Sequence, residues 1–476
     1  MDVVQLTLEA CALVFTPLPL ILLFCGVLFG TLLGALPGLG SILALTVCLP
    51  FTLMLDHIPA FALMLGTYVG SLYGGSIASI LINVPGTPQA AATNLDGYPM
   101  ALAGKAAEAL GWVTVSAVAG GIFSCFVLAA AAGPLAHLSN KYAGPLEICA
   151  LIAMGLACIT TLSEGNLIKG LFSGLFGVLL STVGMDPISS ELRFTFGFMS
   201  VASGIDMLPF IIGLFPLSEV FHRIYEIYTL PDYVIIQCHK IRFPSLREWF
   251  ARKWVTLRSA VIGTFIGILP GTGASPAAFI SYSMAREASS HPEDFGKGAV
   301  EGVIAPEASH NAVTGGAMVP TLALGIPGDA ETTLILATLT IHQITPGVRL
   351  MLDNPVMVHS IFFLLLIAYI MLTVAAIIMV RSFGRLIRLP NAVLLGLIIV
   401  FSMLGAFIAR NNYFDLLIAL AVGLVAFGFR LGNFPLAPAL VSFILAPQFE
   451  YRYSQVAIYR ADTPWPASFW SSSSSC

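Results

Sequence analysis

"GTLLGALPGLGS" (Gly30–Ser41) returns as "GTFIGILPGTGAS" (Gly263–Ser275) in the second half of a 476-residue chain. Gly30, Gly34, Pro37, Gly38 and Gly40 match Gly263, Gly267, Pro270, Gly271 and Gly273. A second phrase follows each: "YGGSIASILINVPGTPQ" (73–89) and "TGGAMVPTLALGIPGDAE" (314–331). Gly74-Gly75 aligns with Gly315-Gly316, and Pro85-Gly86 with Pro327-Gly328, with one residue of slippage. Four matched signatures in one order indicate an internal duplication. Proline removes a helix donor and clashes with the preceding turn, and glycine opens unusual dihedrals and close approach. Each phrase therefore breaks a helix.

The breaks lie in apolar sequence. The chain is 57% hydrophobic, and charged residues make up only 10% of it, against about 25% in a soluble domain. No Asp, Glu, Lys or Arg lies between Glu9 and Asp56, between Asp56 and Asp96, or between Glu108 and Lys141. A spanning helix needs about 20 apolar residues, and "LLLIAYIMLTVAAIIMV" lacks the alternation of a barrel strand. The fold class is an all-α polytopic membrane protein of two homologous repeats, read as inverted because that is the commoner transporter solution. About 10–13 spans with re-entrant pieces are expected. The stretch 222–258 holds 7 of the 21 Lys and Arg residues and reads as a cytoplasmic connector by the positive-inside rule. It separates a first half (1–221) from a second (259–465), followed by a disordered tail (466–476). Arg381, Arg385 and Arg388 mark a second cytoplasmic loop. The start "MDVVQLTLEA" has no basic n-region and is not expected to be a cleaved signal.

Other classes find little support. No basic helix or aromatic-basic patch speaks for nucleic acid. The eight cysteines form no CxxC pair and read as core fillers, not a disulfide or zinc framework. No P-loop, GxSxG elbow or HExxH motif is present, so neither enzyme nor cofactor is expected.

Open backbone in a bilayer is tolerated where protein or a water-filled cavity meets it, and a helix starting after a break aims free N–H groups at an anion. Short Gly/Pro-interrupted segments at matching places point to the binding site of repeat transporters. The candidate substrate and ion contacts are Pro37, Gly38, Ser41, Asn83, Pro85, Gly86 and Thr87 in the first half. In the second they are Pro270, Gly271, Thr272, Ser275, Glu307, His310, Asn311, Pro327, Gly328, Asp329 and Thr332. Hydroxyls, amides and freed N–H groups suffice to hold a carboxylate without a buried cation, and exposed carbonyls suit a transient sodium ion. Glu307 and His310, three apart on one helix face, suit proton or substrate contact, with a structural pair as the alternative. Asp329 and Glu331 equally suit capping a helix N-terminus. Glu164, Lys169, Asp186 and Asp206 read as interfacial, and Asp96 in "NLDGYP" as a turn. Asn83→Ala and Thr332→Ala are expected to weaken uptake more than folding.

The phrases "GTLLGALPGLG", "GTYVGSLYGGSIASILINVPGTP", "DGYPMALAGKAAEAL", "GTFIGILPGTGAS" and "GVIAPEASHNAVTGGAMVPTLALGIPGDAETTLIL" resemble the large membrane subunit of the tripartite tricarboxylate transporters of bacteria, across positions 10 to 450. The resemblance implies an inner-membrane secondary importer of citrate-like and other organic carboxylates, coupled to sodium or protons. It also implies a small membrane subunit of about four helices and a periplasmic solute-binding protein as partners. The family's Pro-Gly regions fall on Pro37-Gly38, Pro85-Gly86, Pro270-Gly271 and Pro327-Gly328. A carboxylate-selective channel or uncoupled facilitator is the alternative, and an intramembrane hydrolase using Glu307 and His310 a third class.

Overall fold

The computed structural model describes residues 3–142, 145–157, 166–186, 190–226, 236–238, 240–386, 391–408 and 410–462. The expectations on Glu164, Arg388 and the tail from 466 lie outside them. The first half runs α1 (Val3–Val14), α2 (Pro17–Ala35), α3 (Gly40–Thr52), α4 (His57–Ile82), α5 (Ala90–Met100), α6 (Ala106–Tyr142), α7 (Pro145–Ala157) and α8 (Leu167–Ser181). A two-residue antiparallel pair, β1 (Gly184–Met185) and β2 (Leu192–Arg193), precedes α9 (Met207–Ile212) and α10 (Ser218–Glu226). The second half runs α11 (Leu246–Ala251), α12 (Lys253–Ile268), α13 (Ala274–Glu287), α14 (Val300–Leu324), α15 (Ala330–Ile341), α16 (Val348–Asp353), α17 (Pro355–Leu386), α18 (Asn391–Ile408), α19 (Tyr413–Leu431) and α20 (Ala437–Asp462). Among the described residues, the architecture is all-α apart from that one pair.

Among the described residues, six helical stretches are long and apolar enough to cross a membrane, and six apolar helices are shorter, at 10–17 residues. The short ones include α3 and α15, which start directly after breaks. Large apolar side chains on α8 and α19, such as Ile168, Phe172, Leu417 and Leu424, remain exposed, as a lipid-facing surface requires. α4 and α14 are the buried centre. The whole apolar window of α4 is buried, and every residue from Gly302 to Ala323 of α14 is buried.

Close helix packing follows from small residues. In α2, Gly26, Gly30 and Gly34 press on Leu63, Thr67 and Ser71 of α4, while Gly66, Gly70 and Gly74 press back on Leu23, Val27 and Thr31. The contacts climb together, so α2 and α4 run parallel. A Cβ at any of these glycines would strike facing main chain; without a hydrophobic drive in lipid, such contact is what binds helices. In the second half Gly263 packs on Ser309 and Gly267 on Val313 and Ala317, so α12 and α14 also run parallel. The two pairs run in opposite directions, because Tyr68 of α4 meets Asp329 just beyond α14 while Ser76 meets Glu307 within it.

Both breaks are built alike. Gly38 and Gly40 have φ of 76° and 70°; Gly271 and Gly273 have 77° and 72°. These left-handed conformations favour glycine, and each turns the chain back. α3 returns along α2 until Cys48 reaches Thr67, and α13 returns along α14, where Ser309 and Ser281 hydroxyls donate to the Ala277 and Ala305 carbonyls. The second phrases fold back too: Gly86 sits on Gly75 and Gly328 on Ala317, eleven residues earlier in each case. That shared register replaces the pairing of Gly75 with Gly316 read from the sequence and removes its one-residue slip. It also aligns Asn83 (φ 58°) with Gly325 (φ 73°), the left-handed C-caps of α4 and α14.

Two polar readings change. Asp96 is no turn residue: it lies inside α5, fully buried. Its Oδ1 accepts the amides of Gly296, Gly298 and Ala299, each at 2.8 Å, and its Oδ2 the Tyr282 hydroxyl at 2.9 Å. One carboxylate thus satisfies the loop entering α14 and staples the halves together. Arg223, in the polar connector, is largely buried; it pairs with Glu219 at 2.7 Å and donates to the Pro37 carbonyl freed by the first break. The rest of the described connector is largely exposed and is tied to the helices by Arg242 against Glu108 at 3.5 Å and Arg252 against Glu301 at 2.9 Å. Of the remaining polar residues near segment ends, Asp206 caps α9 and Lys169 donates to the Gly432 carbonyl at 2.6 Å.

Candidate functional site

All four broken phrases meet at one cavity of 780 Å³. The first half contributes Gly38–Leu43 and Pro85–Gln89; the second contributes Gly271–Pro276 and the start of α15 at Ala330 and Glu331. The two second-half phrases are tied directly, the Gly271 amide donating to the Gly328 carbonyl at 2.8 Å. In the first half Gly86 packs on the Gly34 carbonyl. Across the halves, Ser41 donates to Glu331 Oε1. The helices α3, α5, α13 and α15 begin at or beside the cavity, so their first N–H groups and positive dipole ends gather around it.

The candidate residues separate into three groups. Gly38, Ser41, Pro85, Gly86, Thr87, Gly271, Thr272 and Ser275 line the cavity. Thr272 spends its hydroxyl on the Ile266 and Leu269 carbonyls, closing the break; Thr87 Oγ1 is buried without a partner. Pro37, Asn83, Pro270, Pro327, Gly328, Asp329 and Thr332 shape the breaks without lining the cavity. Asp329 and Thr332 form a reciprocal capping box at α15, and the Tyr68 hydroxyl donates to Asp329 Oδ2 at 2.6 Å. Asn83 is exposed and accepts from Asn94 at 2.9 Å.

The third group is Glu307, His310 and Asn311. They are fully buried within α14 and do not line the cavity. Glu307 Oε1 accepts from Ser76 and from Thr93, the latter at 2.6 Å, and Oε2 lies 3.5 Å from His310 Nε2. Asn311 donates to the Glu307 carbonyl at 3.0 Å. This is a polar knot between α4, α5 and α14.

Three groups on the wall lie outside the candidate contacts read from the sequence. Arg430 at the end of α19 lines the cavity, so the expectation of a site without a cation does not hold. Arg430 pairs with Glu219 at 2.7 Å, and Glu219 also holds Arg223. Two guanidinium groups thus share one carboxylate, and of the two only Arg430 reaches the cavity wall. Gln89 lines the cavity with its Nε2 buried and unpartnered. Glu331, the third, faces in from the opposite half. The only sequence signal for Arg430 was a charge at the end of an apolar segment.

Broken helices and a cavity between duplicated phrases with an arginine on its wall are the architecture of a polytopic membrane transport protein. The model of the tripartite tricarboxylate transporter TctA family matches residues 20–441, and the chain belongs to that family. It is a multi-pass protein of the inner membrane. Two curated relatives come from Agrobacterium vitis. An uncharacterised 52.8 kDa protein in the TAR-I ttuC' 3' region is 34% identical over 437 residues, covering 91% of this chain and 86% of the relative. An uncharacterised protein in the TAR-II ttuC' 3' region is 32% identical over 189 residues, 40% of this chain and 78% of the relative. No solved structure matches. Among the described residues, no group of three or more His, Cys, Asp or Glu is placed to hold a metal ion.

Proposed function

We propose that the chain is the translocating subunit of a secondary active importer of tricarboxylates and related organic carboxylates. The observation that carries this is one cavity lined by residues of all four broken phrases and by Arg430. Helix N-termini and a guanidinium supply donors and positive potential for a carboxylate. The volume lies within the range of small-molecule pockets.

Alternating access is the mechanism we infer, with the halves as inverted repeats. The opposite directions of α2/α4 and α12/α14 support it, since both pairs carry the same broken phrases. A cavity walled by both halves changes its exposed side when one rocks against the other. Sodium or protons drive the cycle, a small four-helix membrane subunit completes the complex, and a periplasmic binding protein delivers substrate; family membership supports these assignments.

The test is uptake of labelled citrate into vesicles holding the assembled complex, with sodium and proton gradients imposed separately. Concentrative uptake that needs the binding protein is expected, and the effective gradient names the ion. Flux that only equilibrates citrate would replace this reading with a channel or facilitator. No flux of citrate or of other di- and tricarboxylates in an assembled complex would overturn it.

A further inference from the structure

We propose that Glu331 is the seat of one co-transported positive charge, a proton or a sodium ion, that enters the cavity with the carboxylate. This rests on the reading of the cavity as the substrate site. Glu331 lines the cavity and accepts from Ser41 of the other half. Asp329, two residues before it, is buried and engaged by the Tyr68 hydroxyl and the Thr332 amide. Among the described residues no Lys, Arg or His forms an ion pair with either carboxylate. Arg430 is committed to Glu219.

The charged and titratable groups around Glu331 are Asp329 on its own helix, Tyr68 from α4, and Glu219 and Arg430 among the cavity-lining residues of α10 and α19. The lining stretches of α3 and α20 carry none. A second observation points to a ligand here. Thr87 Oγ1 and Gln89 Nε2, on residues only 2% and 3% exposed, line the same cavity without partners.

An anionic substrate meets a like charge at Glu331 in a setting of low dielectric, where repulsion is strong. One positive charge on Glu331 removes it. Substrate and ion then raise each other's affinity by the same factor, as linkage requires. Gln89 occupies the matching place in the first half and is neutral, so one such seat per molecule is expected.

The test uses the full chain in lipid nanodiscs, with labelled citrate titrated against sodium at fixed pH and against pH at fixed sodium, where all citrate carboxyls are ionised. Wild-type affinity is expected to rise roughly tenfold per tenfold rise in one of the two ions below its saturation, as one coupled ion demands. The responsive arm distinguishes proton from sodium. Glu331→Gln, which keeps the shape of a neutralised carboxyl, is expected to bind citrate with that slope flattened. A Glu331→Gln protein that retains the wild-type slope overturns the proposal, as does a wild type flat in both ions. Should Glu331→Gln fail to fold, Ser41→Ala serves instead: loss of its hydrogen bond is expected to shift the ion midpoint, and an unmoved midpoint overturns the proposal. Absence of carboxylate binding by folded wild type would overturn the substrate reading itself, and this proposal with it.

Discussion

Where α5 begins, the cavity meets Thr87 and Gln89; where α15 begins, the aligned positions hold Asp329 and Glu331. The backbone beneath is the same. Both halves double back at two glycines with positive φ, and both fold a Pro-Gly loop onto the helix eleven residues before it. The side chains diverge again in the buried centres: Glu307 and His310 of α14 align with Leu65 and Tyr68 of α4. Duplicated glycines supply geometry, which both halves need equally. On the proposed carboxylate-import reading, a further buried carboxylate at Thr87 or Gln89 would repel the substrate and carry its own desolvation penalty.

The comparison assigns the largest effect to the cation outside both phrases. Arg430→Ala removes a guanidinium from the cavity wall and leaves Glu219 with Arg223 alone. Losing one partner of a desolvated charge contact costs about 2–5 kcal/mol, so citrate affinity is expected to fall at least ~30-fold in a binding titration. Arg430→Lys keeps the charge but loses the fork geometry, and should fall between the two. Unchanged affinity in folded Arg430→Ala would place recognition wholly on the helix ends.

Next come the helix seams. Gly70 presses on Val27 and Thr31, while the aligned position in α14 already holds Ala312. Gly70→Ala is expected to cost about 1–3 kcal/mol by overpacking, measured as a lower thermal midpoint in detergent. A neutral Gly70→Ala would mean that the α2–α4 seam is no tighter than its counterpart. Gly38→Ala and Gly271→Ala probe the shared turn instead. Both force alanine to positive φ at about 1–2 kcal/mol, with φ values that agree within a degree, but the Cβ at Gly38 would also strike the Arg223 guanidinium, so Gly38→Ala is expected to lose more stability than Gly271→Ala. Equal losses would show that Arg223 yields to the added methyl at no cost.

Much of this was legible before any coordinates. Gly and Pro act through local sterics, so "LPGLG" and "LPGTG" announce their own breaks, and apolar runs announce helices. Tertiary roles were not. Glu307 stands close in sequence to the second phrase, but the fold-back seats Gly328 beside Ala317, ten residues along α14 from Glu307. At 1.5 Å per residue that is about 15 Å, which is why Glu307 misses the cavity. Asp96 follows turn grammar in "NLDGYP" and is overridden by three amides arriving from Gly296 to Ala299. Arg430 resembles an interfacial anchor until α10 brings Glu219 to it. No single-segment pattern encodes such a meeting.

Asn83 is the smallest and sharpest test of the comparison. An amide before a Pro-Gly break suggests a substrate contact. Its place is instead the left-handed C-cap of α4, exposed and outside the cavity lining, where the other half uses Gly325. Asparagine is among the few side chains that tolerate that conformation. The expected pattern is therefore one of stability: Asn83→Ala loses about 1 kcal/mol, and Asn83→Gly is close to neutral. Citrate affinity should stay the same in both once folded fractions are equalised. Thermal midpoints and binding titrations on the same samples separate the cases. If Asn83→Gly keeps its midpoint but loses affinity, the amide touches substrate at some stage of the cycle, and the matched glycine in the second half then marks a functional asymmetry where the geometry shows only a structural one.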